Sequence, residues 1–126
     1  MKGVIQHEVG PPEVLVVEEL PAPEPIPTEV QVRVHVAGVN PVDFKTRQGG
    51  RSKFLGEPPF RVGWDVSGVV SKLGAGVTRF RVGDEVFGMP WFPREAGAYG
   101  EYVTAPSRHF AAKPGVLSHE EAGALP

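Results

Sequence analysis

The chain has 126 residues, a formal net charge of −2 and no cysteine. The missing thiols exclude disulfides, thiol catalysis and cysteine-ligated zinc, and the interspersed charges form no basic stripe for nucleic acid. No apolar stretch approaches the about 18 residues of a membrane span, and the N-terminus lacks a signal-peptide pattern, so we expect a cytoplasmic protein without a membrane partner.

Three strands are predicted in the first third of the chain. Residues 2–9, 13–20 and 29–38 are rich in valine, and turn-forming glycine and proline residues separate them. In the third segment every second residue is a valine that would share one face of a strand: Val30, Val32, Val34 and Val36. The proline-rich residues 21–27 predict an extended connector.

A short helix is predicted directly after the third strand. Asn40 is a good N-cap, Pro41 suits the first helical position, and Asp43 complements the helix dipole. Gly49 can end the helix in a left-handed conformation. The segment therefore gathers polar and charged residues in a loop of the kind where a β-barrel holds chemistry.

Three further strands are predicted within residues 62–74, 79–90 and 97–106. Gly74 and Gly76 begin a dinucleotide-binding glycine pattern, but Arg79 occupies its third position and the segment lies between two strands. A hairpin turn is the better interpretation. Short strands with frequent turns predict a mostly β fold, closed or partly closed into a barrel.

A second helix is predicted at Ser118, which can form a capping box with Glu121. Only about two turns fit before the sequence stops, and a helix of that length is marginal on its own. We therefore expect the chain to be one domain of a longer protein.

Metal binding is not expected. No two histidines are spaced as neighbours on one helical turn, and none lies near a second plausible ligand: His7, His35, His109 and His119. The paired acidic residues along the chain are most simply solvated or turn residues.

Five segments together resemble the catalytic, GroES-like domain of the medium-chain dehydrogenase/reductase superfamily. They are GVNPVDFKTRQG (38–49), GWDVSGVVSKLGAGV (63–77), FRVGDEVFG (80–88), GAYGEYV (97–103) and LSHEEAGALP (117–126). The resemblance implies a GroES-like, partly closed β-barrel with two or three short helices over residues 1–126. It also implies that a Rossmann cofactor domain follows the last segment in the family and is absent from this chain.

Within that superfamily, the chain is most similar to the zinc-free quinone oxidoreductases and enone reductases. Zinc-dependent members carry a cysteine where this chain has Asn40, and a Gly-His-Glu triplet where it has Gly63, Trp64 and Asp65. The resemblance therefore implies hydride transfer without a metal. The implied activity is NADPH-dependent reduction of quinones or α,β-unsaturated carbonyls, with a possible homodimer.

The resemblance also implies catalytic residues in the segment that begins at Asn40. The asparagine that matches Asn40 lies beside the nicotinamide in the family, and the lysine that matches Lys45 faces the cofactor ribose and the substrate in some enone reductases. Both are thus expected to contact cofactor and substrate, with Asp43 as a further catalytic candidate. The alternatives are an N-cap for Asn40, a helix-start acid for Asp43 and a solvated surface lysine for Lys45.

Three aromatic residues are the expected substrate contacts. Trp64 stands at a position that carries a metal ligand in zinc-dependent members, and Trp91 and Phe92 lie in a loop rich in proline and glycine. The alternatives are core packing for Trp64 and a small cluster beneath the loop for the other two.

Two other functions stay open at this stage. Because the chain contains no complete phosphate-binding glycine loop, it should be inactive alone, and a non-catalytic binding module is an alternative. An RNA-binding role is the other, although the balanced charge argues against it.

Overall fold

The computed structural model describes residues 1–50 and 55–126. Its strands are β1 (Lys2–Gln6), β2 (Leu15–Glu19), β3 (Glu29–Gly38), β4 (Asp65–Leu73), β5 (Glu85–Gly88), β6 (Tyr102–Pro106) and β7 (Phe110–Ala112). Helix α1 covers Pro41–Arg47, helix α2 covers His119–Gly123, and short 3-10 helices cover Pro12–Val14 and Ser107–His109.

The strands form two antiparallel sheets. β1 and β2 make a hairpin-like pair, and the larger sheet has the order β6-β3-β4-β5-β7. Bridges between Gly3 and Gly100 and between Gln6 and Phe60 join the small sheet to the rest. The sheets do not close into a ring within the described ranges. The prediction of a mostly β, partly closed barrel is confirmed.

The core lies against one face of the larger sheet. Its fully buried members are mainly valines from β3, β4 and β5, closed by phenylalanine: Val30, Val32, Val66, Val70, Val86, Phe80 and Phe110. Val30 and Val32 of the predicted valine face of β3 are fully buried, and Val34 packs against the same core cluster while partly buried. A register shift between Val34 and Val36 then interrupts the pairing with β4, and both of these valines are only partly buried.

Helix α1 ends as its sequence predicts. The N–H of Gly50 donates to the carbonyl of Lys45, and the N–H of Gly49 donates to that of Thr46, a pair of bonds that defines a Schellman motif. Gly49 has a φ of 102°, which a residue with a side chain rarely adopts. The helix is therefore fixed at its C-terminal end by local chemistry.

The prediction for the start of α2 is also confirmed. Ser118 and Glu121 form the capping box of α2, with bonds of 3.0 and 3.1 Å between each side chain and the other residue's N–H. The glycine pair lies just after β4, in a longer connection to the antiparallel strand β5 than a tight hairpin turn. Strand β7 is the one described strand that the sequence did not predict.

Candidate active site

The candidate site is built where β3 passes into α1. Asn40 lies between the two elements, and its backbone N–H donates to Oδ2 of Asp43 at 2.9 Å. The hydroxyl of Tyr99 donates to the same carboxylate oxygen. Asp43 therefore ties the start of α1 to the loop that precedes β6, over a large separation in sequence.

A second carboxylate holds the side chain of Asn40. Its amide nitrogen, Nδ2, donates to Oδ2 of Asp65 at 2.7 Å. Asp65 is the first residue of β4, and its Cα pairs in register with that of Gly38, two residues before Asn40. The pairing of β3 with β4 is thus what brings Asp65 next to Asn40.

Both carboxylates are buried. Asp43 is 4% exposed and Asp65 is 2% exposed. The Oδ1 atom of each is buried without a hydrogen-bond partner among the residues that the structure describes. Burial raises the pKa of Asp65, the bond from Asn40 opposes this, and the nearby charge of Asp43 raises it further.

Tyr99 stays protonated in this environment. Burial, the hydrogen bond to Asp43 and the negative charges of Asp43 and Asp65 all raise its pKa well above the ordinary tyrosine value. The phenol is therefore a fixed hydrogen-bond donor to Asp43 rather than a source of protons at neutral pH.

Two glycines make room for these contacts. Gly63 has a φ of 99°, and a Cβ built on it would lie 2.9 Å from the ring of Tyr99. A Cβ on Gly38 would lie 2.6 Å from the carbonyl oxygen of Gly123 in α2 and 2.8 Å from Cβ of Asp65. The aromatic ring and the carboxylate can approach the backbone this closely because neither glycine has a side chain.

A cavity of about 220 Å³ opens beside the network. Its lining is mostly apolar, with a carboxylate, a guanidinium and the phenol as polar members: Leu15, Val39, Asp43, Phe44, Arg47, Val62 and Tyr99. Val39 and Phe44 are also among the exposed large apolar side chains of the domain. An apolar cavity with a few polar groups is the usual form of a small-molecule site.

The sequence predicted Asn40 and Asp43, and the structure brings them together. Lys45 is exposed on α1, and no hydrogen bond joins its amine to another part of the described chain. The sequence missed Asp65 and Tyr99 as members of the site. Both residues lie in segments that carried the family resemblance. Asp65 is the last residue of the Gly63–Asp65 triplet that was compared with the Gly-His-Glu triplet of zinc-dependent members, and Tyr99 lies in GAYGEYV.

The predicted aromatic contacts share no hydrogen bond with this network among the described residues. Trp64 is 2% exposed, its Nε1 donates to the carbonyl of Arg94 at 2.6 Å, and its ring meets Phe92 edge-on at 5.5 Å. The core-packing alternative thus describes where Trp64 lies. Its contact with substrate stays a prediction, as does that of Phe92, which is partly exposed.

Trp91 is anchored by its own hydrogen bonds. Its Nε1 donates to the carbonyl of Thr104 at 2.8 Å, and its backbone N–H donates to Nδ1 of His109 at 3.1 Å. The ring packs against the core cluster. Trp91 therefore packs on the main core and not in a separate small cluster, and a substrate contact by Trp91 stays a prediction.

Within the described ranges, no three histidine or acidic side chains are grouped so that they could hold a metal ion. No helix among these residues is long and apolar enough to cross a membrane.

Comparison with known proteins identifies the family. Residues 26–115 match the family model described as the alcohol dehydrogenase GroES-like domain. The chain belongs to this family. The resemblance seen in the sequence is confirmed, and the partly closed barrel is a GroES-like domain.

Two curated relatives show the range of named activities. Quinone oxidoreductase of Rattus norvegicus is 33% identical over 128 aligned residues, which cover 99% of this chain and 37% of that protein. Sorbitol dehydrogenase of Gallus gallus is 38% identical over 116 residues, covering 89% of this chain and 32% of that protein. The relatives are oxidoreductases with different named substrates.

Solved structures agree with this assignment. The quinone oxidoreductase of Coxiella burnetii superposes with a TM-score of 0.93 at 36% identity, covering 100% of this GroES-like domain and 41% of that chain. The quinone oxidoreductase of Escherichia coli, solved as a complex with NADPH, has a TM-score of 0.89 at 29% identity, with 99% and 37% covered. The chain thus spans about two fifths of these solved proteins.

Proposed function

We propose that this GroES-like domain is the substrate-binding part of an NAD(P)H-dependent reductase of quinones or α,β-unsaturated carbonyls, working without a metal. The observation that carries the proposal is the clamped Asn40, whose backbone is held by Asp43 and whose amide is held by Asp65. An amide nitrogen carries two hydrogens, so one N–H is left for a ligand. The names of the quinone oxidoreductase relatives support the substrate class.

The described residues offer candidate contacts for the nicotinamide end of the cofactor and none for its phosphates. The glycine pair at residues 74 and 76 lies in the connection between the antiparallel strands β4 and β5, so it does not form the strand-to-helix loop that binds a dinucleotide phosphate. Asn40 and Lys45 are the residues that would face the nicotinamide end, and the phosphates would be held outside this domain. When bound, NADPH would supply a hydride to the acceptor.

The chain's own residues would then stabilise the acceptor oxygen. Reduction of an enone or a quinone builds negative charge on that oxygen, and a preorganised N–H donor lowers the barrier by stabilising it. Asn40 is such a donor because two bonds hold it in place. The exposed ammonium of Lys45 would add positive charge and a proton for the product.

Asp43 has a different role in this proposal from the one the sequence suggested. Its Oδ2 accepts from both Asn40 and Tyr99, and the side chain is buried. A carboxylate occupied in this way positions Asn40 and does not take a proton from substrate. The cytoplasmic location and the homodimer remain part of the proposal on sequence grounds alone.

The test uses the longer protein in which this domain is joined to a cofactor-binding domain. We expect oxidation of NADPH with a simple quinone and with an enone, and none with sorbitol and NAD⁺. Heat-inactivated protein is the control, and zinc is measured in the same sample. Turnover of the polyol alone, or activity that requires stoichiometric zinc, would contradict the proposal.

The alternative of a non-catalytic binding module predicts a different outcome. That longer protein would then bind no NADPH in a titration and would oxidise none with either acceptor. The 126-residue chain cannot separate the two, since it is expected to be inactive in both cases.

A further inference from the structure

We propose that Asp65 is the positioning residue of Asn40. It fixes the amide with its nitrogen toward β4, so that Asn40 presents its remaining N–H donor to a ligand in one place. The kinetic part of this inference rests on the proposed function, whereas the orientation of the amide does not.

The orientation follows from hydrogen-bond chemistry. An ionised carboxylate only accepts hydrogen bonds, and the contact between Asn40 Nδ2 and Asp65 Oδ2 is 2.7 Å long. When Asp65 is ionised, reversing the amide would place its oxygen against a carboxylate oxygen, with no hydrogen between them. The nitrogen therefore faces Asp65, and its second hydrogen is the one left for a ligand.

Asp65 is held rigidly enough to impose this orientation. It is 2% exposed and lies in the β3–β4 ladder opposite Gly38. A Cβ on Gly38 would lie 3.2 Å from Asp65 Oδ2, so the carboxylate packs directly on the backbone of β3. Among the described residues, Asn40 provides the one side-chain hydrogen bond that Asp65 accepts.

The consequence is a preference in substrate chemistry. A single fixed N–H suits a quinone or enone oxygen, which accepts a hydrogen bond and gains negative charge on reduction. A group that only donates, such as an ammonium, would leave this N–H without an acceptor. Loss of Asp65 should remove this preference by letting the amide rotate freely.

The first experiment examines the amide directly by NMR. Asn40 is the only asparagine in the chain, so isotopically labelled asparagine gives a single side-chain NH₂ signal. We expect one of its two protons to be shifted downfield and to exchange slowly with solvent. In Asp65→Leu, which adds no second asparagine, both protons should approach the shifts and exchange rates of free asparagine.

The matched control is Ser67→Ala, on the same strand. Ser67 is also buried, and it loses one side-chain hydrogen bond, to Nδ1 of His119 at 2.7 Å. This variant should leave the Asn40 signal as in the wild type. A wild-type signal that already resembles free asparagine would overturn the inference even if Asp65→Leu failed to fold, and so would an unchanged signal in a folded Asp65→Leu.

The second experiment measures kinetics in the longer protein. Asp65→Leu should lower kcat by about 10- to 100-fold, the range expected when a transition-state donor is misplaced, with little change in the KM for NADPH. Asp65→Asn keeps an oxygen acceptor of the same shape and should recover part of kcat. Ser67→Ala should be near wild type.

Failure of the proposed function and failure of the role proposed for Asp65 would give different results. A wild-type protein without reductase activity would reject the proposed function, and the NMR experiment would still decide the orientation of Asn40. An active wild type whose kcat is unchanged in Asp65→Leu would reject the role of Asp65 alone.

Discussion

Replacing Tyr99 with phenylalanine should destabilise the domain by more than the loss of a surface hydrogen bond. The variant keeps the ring that packs on Gly63 and removes only the hydroxyl that donates to Asp43. Asp43 is 4% exposed, and its Oδ1 already lacks a partner among the described residues. The substitution therefore leaves a buried carboxylate with one donor fewer.

The magnitude follows from that arrangement. A hydrogen bond to a charged group contributes about 1.5–3 kcal/mol to stability, and a buried charge cannot replace the lost donor with bulk water. At roughly 4 °C per kcal/mol for a chain of this size, Tm should fall by about 6–12 °C. Urea unfolding should show a lower midpoint with an unchanged m-value, because the folded surface stays the same.

The chain supplies a matched control. It has two tyrosines, and Tyr102 is partly buried in β6 with no hydroxyl hydrogen bond to the residues described. Tyr102→Phe should change stability by less than about 0.5 kcal/mol. Equal effects of the two variants would refute the reasoning, as would a double-mutant cycle of Tyr99→Phe with Asp43→Asn that shows no coupling.

Three other variants test separate parts of the structure. Burial lowers the pKa of His109, the charge of Arg108 adds to this and Glu29 opposes it, so the wild type should lose stability as pH falls below the ordinary histidine value of about 6.5. His109→Asn keeps an acceptor for the N–H of Trp91 but does not titrate. Its urea midpoint should therefore fall less than that of the wild type when the pH is lowered below about 6.5. An equal fall in both proteins would show that His109 does not cause the loss of stability. Gly63→Ala should cost about 2 kcal/mol or more in urea unfolding, because φ is 99° and the new Cβ would lie 2.9 Å from the Tyr99 ring; a smaller cost would mean that the ring moves away easily. In the longer protein, Lys45→Met should lower kcat and kcat/KM together by about 100-fold with both a quinone and an enone, and unchanged kinetics would make Lys45 an ordinary surface lysine.

The sequence predicted the elements whose causes are local. The bounds of β3 were predicted as residues 29–38, and the two described helices α1 and α2 begin at the caps that their sequences contain. Capping boxes, Schellman glycines and alternating valines act over a few residues, so they can be recognised without the fold. Strand β7 was missed because three residues are too few to show alternation.

Only part of the site could be predicted, because its other members are brought together by contacts between residues that are distant in sequence. Asn40 and Asp43 are neighbours in sequence, whereas Asp65 and Tyr99 meet them across 25 and 56 residues. Those contacts depend on the β3–β4 register and on how the loop before β6 reaches α1, which no local pattern encodes. Trp64 shows the same limit, because an aromatic residue at that position is compatible with either a core or a cleft until its neighbours are known.

The network around Asn40 has the character of a site kept for its geometry and not for stability. Burying two carboxylates that each retain an oxygen without a partner in the described chain is unfavourable, and an apolar replacement of similar volume is often neutral or stabilising. Yet the two carboxylates hold the same asparagine, one through its backbone and the other through its amide. None of the residues of this clamp belongs to the buried apolar cluster of the core. Energetically unfavourable arrangements are found most often where a side chain must be fixed in the orientation that binds a ligand. In this domain the side chain fixed in that way is Asn40.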